Sequence, residues 1–328
     1  MEKRTLGPLG STSILSLGGG GLGQLWGPTT RDECVATLRA AVDSGIDLID
    51  MAPRYGNGEA EDVVGIAFGG RLPAGVRITT KCFVGQTPAD EVGALIRRSL
   101  ADSLRRMRLD RVDVLLLHSN VVPDDDPMSR HPDAGTRMTP YRVFVERVRP
   151  TFEALKAEGR IGHWGLTGIG YPDTIIRLLG EMPPPAVVQC IANPLDSAGS
   201  LKFTPGPTKP RAIIRAATGN GIGVMGIRAV QAGALTDVLD RPLPADHPEM
   251  LDYARAAAYR ALAAQLGMSA SDLGHRYALA MAGLGTVVLG VKNRVELAQC
   301  VAAANAGPLA PEIVGRVDAC FRPGAATP

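Results

Sequence analysis

Aromatic side chains are scarce: the 328 residues include six Phe, six Tyr and two Trp. The net charge is only +2, with acids and bases mixed along the chain. A nucleic-acid surface would need a basic face or interleaved aromatics, so none is expected. No apolar run reaches the roughly 18 residues that suggest a membrane span. The opening MEKRTLGPLG has charges but no apolar segment behind it, so no export signal is expected. Five cysteines (Cys34, Cys82, Cys190, Cys300, Cys320) stand apart, with no CxxC. An odd, scattered set in apolar surroundings reads as free thiols in a reducing cytoplasm. Metal-ligand spacings are also missing. There is no HxH or HExxH, and His131, His163, His247 and His275 are scattered, which disfavours a metal-dependent barrel hydrolase.

What is present is globular composition, 45% hydrophobic and 21% charged, in a chain long enough for a sizeable core. Short apolar runs recur as strand candidates: 13–17, 46–50, 76–81, 112–118, 161–168, 186–190, 222–227 and 286–290. Several are continuous rather than alternating, as in parallel strands buried on both faces. Helix-period stretches lie between them, at 31–45, 89–109, 143–159, 210–221, 251–267 and 294–305, with another starting just after Tyr55. Pro150 is expected to start or kink the third. This rhythm predicts an α/β chain, a (β/α)8 TIM barrel spanning 1–328 as one domain. The surplus length fits an N-terminal hairpin over 4–14, turning at Gly10-Ser11, and extended loops at 119–141 and 196–209, after the fourth and sixth strands.

The run GGGGLG (18–23) matches a dinucleotide-binding glycine motif, but that motif needs a helix to open inside it. Pro28 and Thr29-Thr30 place the helix start near Thr30 instead. The run reads as a flexible turn after the first strand or, at Gly20 and Gly21, as a floor over which a ligand can lie.

The informative residues break the apolar runs at their ends. In a barrel the C-terminal strand ends share one pocket. The second strand ends in Asp50, the third in Lys81 and the fourth in His118, with Tyr55 on the loop after the second. Each alone has a plain structural reading, as a buried ion pair, a core histidine or a packed loop aromatic. Together they suit a carbonyl becoming an alkoxide. Asp50 compensates the buried ammonium. Lys81 favours the tyrosinate and is expected to lower the Tyr55 pKa, making the phenol a proton donor or acceptor near neutrality. His118 hydrogen-bonds the substrate oxygen.

With these residues in place, the chain resembles the aldo-keto reductase superfamily. GIDLIDMAPRYGNGEAEDVVG is similar to the signature around its catalytic aspartate and tyrosine. ITTKC resembles the lysine strand, LDRVDVLLLHSN the histidine strand, and LKAEGRIGHWGLTG, GIGVMGIRAVQAGALT and VVLGVKNRVELAQC later segments, all in order across 45–300. The resemblance implies a barrel that binds NAD(P)(H) without a Rossmann domain, with Tyr55, Lys81, Asp50 and His118 as catalytic residues. It implies that Thr167 and Gln189 hold the nicotinamide carboxamide, that Ile227, Arg228, Val230 and Gly233 lie along the pyrophosphate, and that Gly290, Lys292, Glu296 and Gln299 surround the adenosine. Trp26, with Tyr55 and His118, is expected to wall the substrate pocket. This chain departs from the family at Thr167-Gly168, Ile227, Arg228 and Cys300. The Arg228 guanidinium is read as a pyrophosphate clamp. Lys292 suits a 2′-phosphate and Glu296 a free ribose hydroxyl, so these cues conflict, and it is the resemblance to the family that puts NADP(H) slightly ahead of NAD(H). The implied partner is a small carbonyl or alcohol substrate. A sugar or alcohol dehydrogenase working oxidatively, and a catalytically weak nucleotide-binding subunit, stay open, as do monomer and homo-oligomer.

Overall fold

All eight apolar runs form parallel strands that close on themselves. The computed structural model describes residues 1–126 and 134–322. The centre of the 119–141 loop, with His131, and residues 323–328 lie outside the described residues. A short antiparallel pair, β1 (Lys3–Thr5) and β2 (Ser11–Ser13), comes first. The barrel strands are β3 (Leu15–Gly18), β4 (Leu48–Asp50), β5 (Arg77–Cys82), β6 (Val112–Leu117), β9 (Ile161–Thr167), β10 (Val187–Ile191), β11 (Gly223–Ile227) and β12 (Thr286–Leu289). They pair in sequence order, and β12 closes on β3. This is the (β/α)8 barrel.

The barrel fills from within by Leu48, Val114, Leu116, Val187 and Met225, with Leu6 of the hairpin joining them from below. The expected two-residue turn at Gly10-Ser11 is instead a 3-10 turn, Gly7–Leu9. Gly7 has φ +49°, and a Cβ there would sit 2.3 Å from the Gly223 nitrogen. The turn therefore packs directly on the barrel floor. The larger core lies between the strands and the surrounding helices.

Helices return the chain between strands. Thr30 caps Arg31–Asp43, as expected, accepting from the Glu33 N–H at 3.2 Å. Pro150 cannot donate to a regular helical ladder. The stretch around it widens into a π-helical turn, Phe144–Val148, before Arg149–Ala157. The expected helix over 251–267 splits at Ala256 into Pro248–Arg255 and Ala257–Gln265. Helices Pro172–Leu179, Ala270–Ala280 and Pro311–Ala319 were not anticipated.

The two long loops are partly structured. The loop after β6 holds a two-stranded parallel sheet, β7 (Asn120–Val122) with β8 (Met138–Pro140). The loop after β10 contains a single 3-10 turn, Gly199–Leu201. The glycine run is not a loose turn: Gly19–Leu22 forms one turn of helix. Gly21 lies against the loop after β12, where a Cβ would come within 1.8 Å of the Val291 carbonyl oxygen. Tertiary contact, not helix propensity, holds it there. No helix among the described residues is long and apolar enough to cross a membrane, and the five cysteines are free.

Candidate active site

Strand register brings the polar residues to one end of the barrel. Asp50 pairs with Thr79 across β4 and β5, so Lys81, two residues on, points to the same face one step higher. His118 leaves β6 with its N–H bonded to the Cys82 carbonyl at 2.8 Å. The Lys81 ammonium, fully buried, donates to Asp50 Oδ2 and the Met51 carbonyl at 2.9 Å and to the Tyr55 hydroxyl at 3.2 Å. Thr79 donates to the other Asp50 oxygen at 2.5 Å. All three ammonium protons are therefore used, and the buried carboxylate is satisfied on both oxygens.

The His118 ring meets Tyr55 edge-on at 5.8 Å and packs against Phe83 at 4.4 Å. Its Nδ1 is buried and bonded to nothing among the described residues. Burial, then the positive charges of Lys81, Arg54 and Arg137, hold the imidazole well below its ordinary pKa, so it is neutral. For Lys81, burial works against the charge, but Asp50 and Tyr55 together outweigh it and the pKa is raised. Tyr55 corrects an expectation. Lys81 does pull its pKa down, but burial is the larger effect and the net direction is upward. The resting phenol keeps its proton.

A cavity of about 670 Å³ opens from this cluster toward the ends of β9 to β12. Asp50, Tyr55 and His118 line it, and so do Gly20, Trp26, Thr167, Gln189, Ile227, Arg228, Val230, Gly233, Gly290, Lys292, Glu296 and Gln299. Lys81 lies behind Tyr55 and Asp50, and Gly21 behind the wall, packed on Val291. Thr167 and Gln189 are register partners. The Thr167 hydroxyl donates to the Leu117 carbonyl at 3.2 Å, whereas the Gln189 Nε2 is buried with no partner among the described residues. Trp26 packs over Gly20 and Gly290, with the Arg241 guanidinium 5.6 Å from its ring centroid. Trp26 lines the same cavity as Tyr55 and His118.

Two cations of that arm have partners inside the protein. Arg228 is buried against Glu249 and donates to Gln231 at 2.9 Å, so its guanidinium is committed to the fold and not held free as a clamp. Lys292 pairs with Asp240, and with Glu296 at 3.0 Å. Beside them His275 holds the Ser271 carbonyl through Nδ1 at 2.8 Å, and its Nε2 lies 3.6 Å from the Cys300 sulfur. Burial pushes that thiol up to about 12.

Asn120, Arg137 and Phe203 reach the cavity from the two long loops, which sequence reading also expected to supply pocket walls, whereas it passed over Arg54, Phe83, Asp240 and His275. Arg54 and Phe83 were findable, since they sit beside Tyr55 and just past the end of β5. Asp240 and His275 reach the cavity through folded-back loop and helix, which leave no mark in spacing.

The comparisons with known proteins agree with this architecture. The chain is 26% identical over 306 residues to the L-galactose dehydrogenase of Arabidopsis thaliana, covering 92% of this chain and 88% of that one. It is 31% identical to the pyridoxal 4-dehydrogenase of Microbacterium luteolum over half of this chain and 55% of that protein. An aldo-keto reductase from Bacillus halodurans superposes with a TM-score of 0.73 at 24% identity, covering 99% of this chain and 97% of that one. One from Klebsiella pneumoniae in complex with NADPH superposes at 0.67 and 22% identity, covering 100% and 98%. The sequence model of the aldo/keto reductase family matches residues 14–322, and the chain belongs to that family of oxidoreductases.

Proposed function

We propose that this protein interconverts an aldehyde or ketone and the corresponding alcohol with a nicotinamide nucleotide, using Tyr55 as general acid in reduction and general base in oxidation. The observation that carries the reading is the contact of the Tyr55 hydroxyl with the buried Lys81 ammonium at 3.2 Å, itself held by Asp50. A phenol that gives up its proton beside a fixed ammonium leaves a stabilised phenolate. His118, neutral, can donate one hydrogen bond to the substrate oxygen without competing for the proton.

Fit to the nucleotide rests on Gln189. A buried amide N–H with no partner among the described residues is costly unless a ligand oxygen meets it, and a carboxamide carbonyl is such an oxygen. Thr167 stands beside it in register. When bound, the nucleotide supplies or accepts the hydride. Ile227, Val230 and Gly233 would line its length, and Lys292, Glu296 and Gln299 its far end.

On the choice of nucleotide the charges lead away from the sequence expectation. At the far end Lys292 lies between two carboxylates, Asp240 and Glu296, and Arg241 also lies beside Asp240, so its cations are already compensated by acids of the same chain. We read NAD(H) as favoured over NADP(H), because a 2′-phosphate would have to displace those carboxylates from Lys292. Several relatives bear dehydrogenase names, which favours sugars and related alcohols as candidate substrates.

The test is Tyr55→Phe. Fluorescence titration should find nucleotide affinity retained, while turnover of carbonyl and alcohol panels, followed at the nicotinamide band, falls about 10²–10⁴-fold. Undiminished turnover would refute the acid–base role.

A further inference from the structure

Beyond His118 the cavity carries two cations with no anionic partner among the described residues. Arg54 immediately precedes Tyr55, and Arg137 directly precedes β8 in the loop after β6; both line the cavity. Among the described residues neither guanidinium is in an ion pair, whereas Lys81, Arg106, Arg228 and Lys292 each are. Each lies on an aromatic face instead. The Arg54 Cζ is 4.0 Å from the Phe83 centroid, and the Arg137 Cζ 4.6 Å from that of Phe203. A guanidinium stacked by its face keeps its N–H edge free, and that edge fits a planar oxyanion with two parallel hydrogen bonds.

The placement fixes what the edge can reach. Phe83, under Arg54, packs on His118 at 4.4 Å, so guanidinium and imidazole are two stacking steps apart. Asp50 is the carboxylate at this end, and Lys81 already holds it. The other acidic residues of the cavity, Asp240, Asp272 and Glu296, lie on the far arm. Among the described residues this end is therefore left with uncompensated positive charge, which also acts on the His118 ring. A neutral sugar or alkyl aldehyde would gain nothing from it.

We propose that the substrate carries a carboxylate a few bonds from its reacting carbon, bound between Arg54 and Arg137 while Tyr55 and His118 address the carbonyl or hydroxyl. The proposal rests on the carbonyl–alcohol reading above and adds the chemical class: a short oxo or hydroxy acid, or an acidic sugar.

Two measurements on the full-length protein test it. The first compares matched substrates, succinate semialdehyde against butanal and glucuronate against glucose, in wild type, Arg54→Gln and Arg137→Gln. The acidic member should have the higher kcat/KM. Each variant should lower the acid-to-neutral ratio about 10- to 100-fold, the worth of a hydrogen bond between charged groups. Arg54→Lys should recover part of the loss, and nucleotide affinity should not move, which also reports a folded protein. Equal use of both members, or an equal fall for both in the variants, would overturn the proposal. The second measurement is calorimetric binding of malonate, with malonamide as its uncharged control. If no pair is turned over but malonate binds and Arg54→Gln weakens it tenfold, the carbonyl reading falls and the anion site stands. If malonate does not bind and no pair is turned over, both fall.

Discussion

The two arms of the cavity treat charge in opposite ways. Along the arm built from β11, β12 and the loops after them, the cations are tied to acids of the same chain. Arg228 lies against Glu249, Arg241 is 3.8 Å from Asp240, and Lys292 sits between Asp240 and Glu296. Along the arm built from β4, β5 and β6, Lys81 is paired, but Arg54 and Arg137 rest on aromatic rings with no acid among the described residues. Self-compensated charge fixes loop shape and presents little field to a ligand. Uncompensated charge is a demand for one. The β11 side holds shape at a cost in backbone strain, since Arg228, Gln231 and Ala232 all have positive φ, and its buried bonds from Gln231 to Asp252 and Arg228 to Glu249 hold them there.

The most severe break of this contrast is Lys81→Met. It removes the compensated cation of the arm that holds Tyr55, and leaves Asp50 buried with only Thr79 to satisfy it. Loss of one member of a buried pair costs about 3–5 kcal/mol. Denaturant unfolding should register that cost, and turnover should fall about 10²–10⁴-fold because the Tyr55 phenolate loses its ammonium. Asp50→Leu combined with Lys81→Met should regain much of the stability and none of the turnover. If the double variant regained turnover, the ion pair would be scaffold alone.

A middle-sized effect belongs to the far arm. Asp240→Asn with Glu296→Gln frees Lys292 from both carboxylates without removing a hydrogen-bonding group. Pairs at such half-exposed positions are each worth up to about 1 kcal/mol. The affinity ratio of NADPH to NADH should therefore rise about 5–30-fold. A ratio that stays fixed in fluorescence titration would mean that the acids do not face the 2′ position.

The barrel was readable because its strands are buried on both faces. Runs such as VDVLLL and AVVQC need no alternation, and helix-period stretches separate them. The candidate catalytic residues were readable for the complementary reason: Asp50, Lys81 and His118 interrupt apolar runs where burial would otherwise disfavour polar groups. What escaped depends on partners far along the chain. Gly19–Leu22 is helical because Gly21 fits against Val291, some 270 residues away in sequence, against its own propensity. β7 and β8 are three residues each, too short to carry a periodic signal. Arg228 read as a ligand clamp because Glu249 could not be seen to cover it. The direction of the Tyr55 shift failed likewise: the adjacent charge was legible, but the larger effect, burial, is a property of the assembled site.

The smallest expected effect separates field from fold at His118. Its pKa is lowered by burial and then by Lys81, Arg54 and Arg137, so in the folded protein the ring stays neutral where an unfolded chain would protonate it. Below about 6.5, the ordinary histidine value, the unfolded state therefore binds more protons than the native state. Stability is full above that pH and declines as the pH falls, by up to 1.36 kcal/mol per pH unit for a single such group. His118→Asn should flatten the acid side of the stability curve. His275 and His163 are also held below the ordinary value, by burial first, and will keep part of the slope. Arg54→Gln leaves the burial in place and removes one of the three charges, so it should flatten the curve less than His118→Asn does. An Arg54→Gln curve superposable on wild type would show that the guanidinium's charge does not reach the ring, and would weaken the contrast between the two arms at its most exposed point.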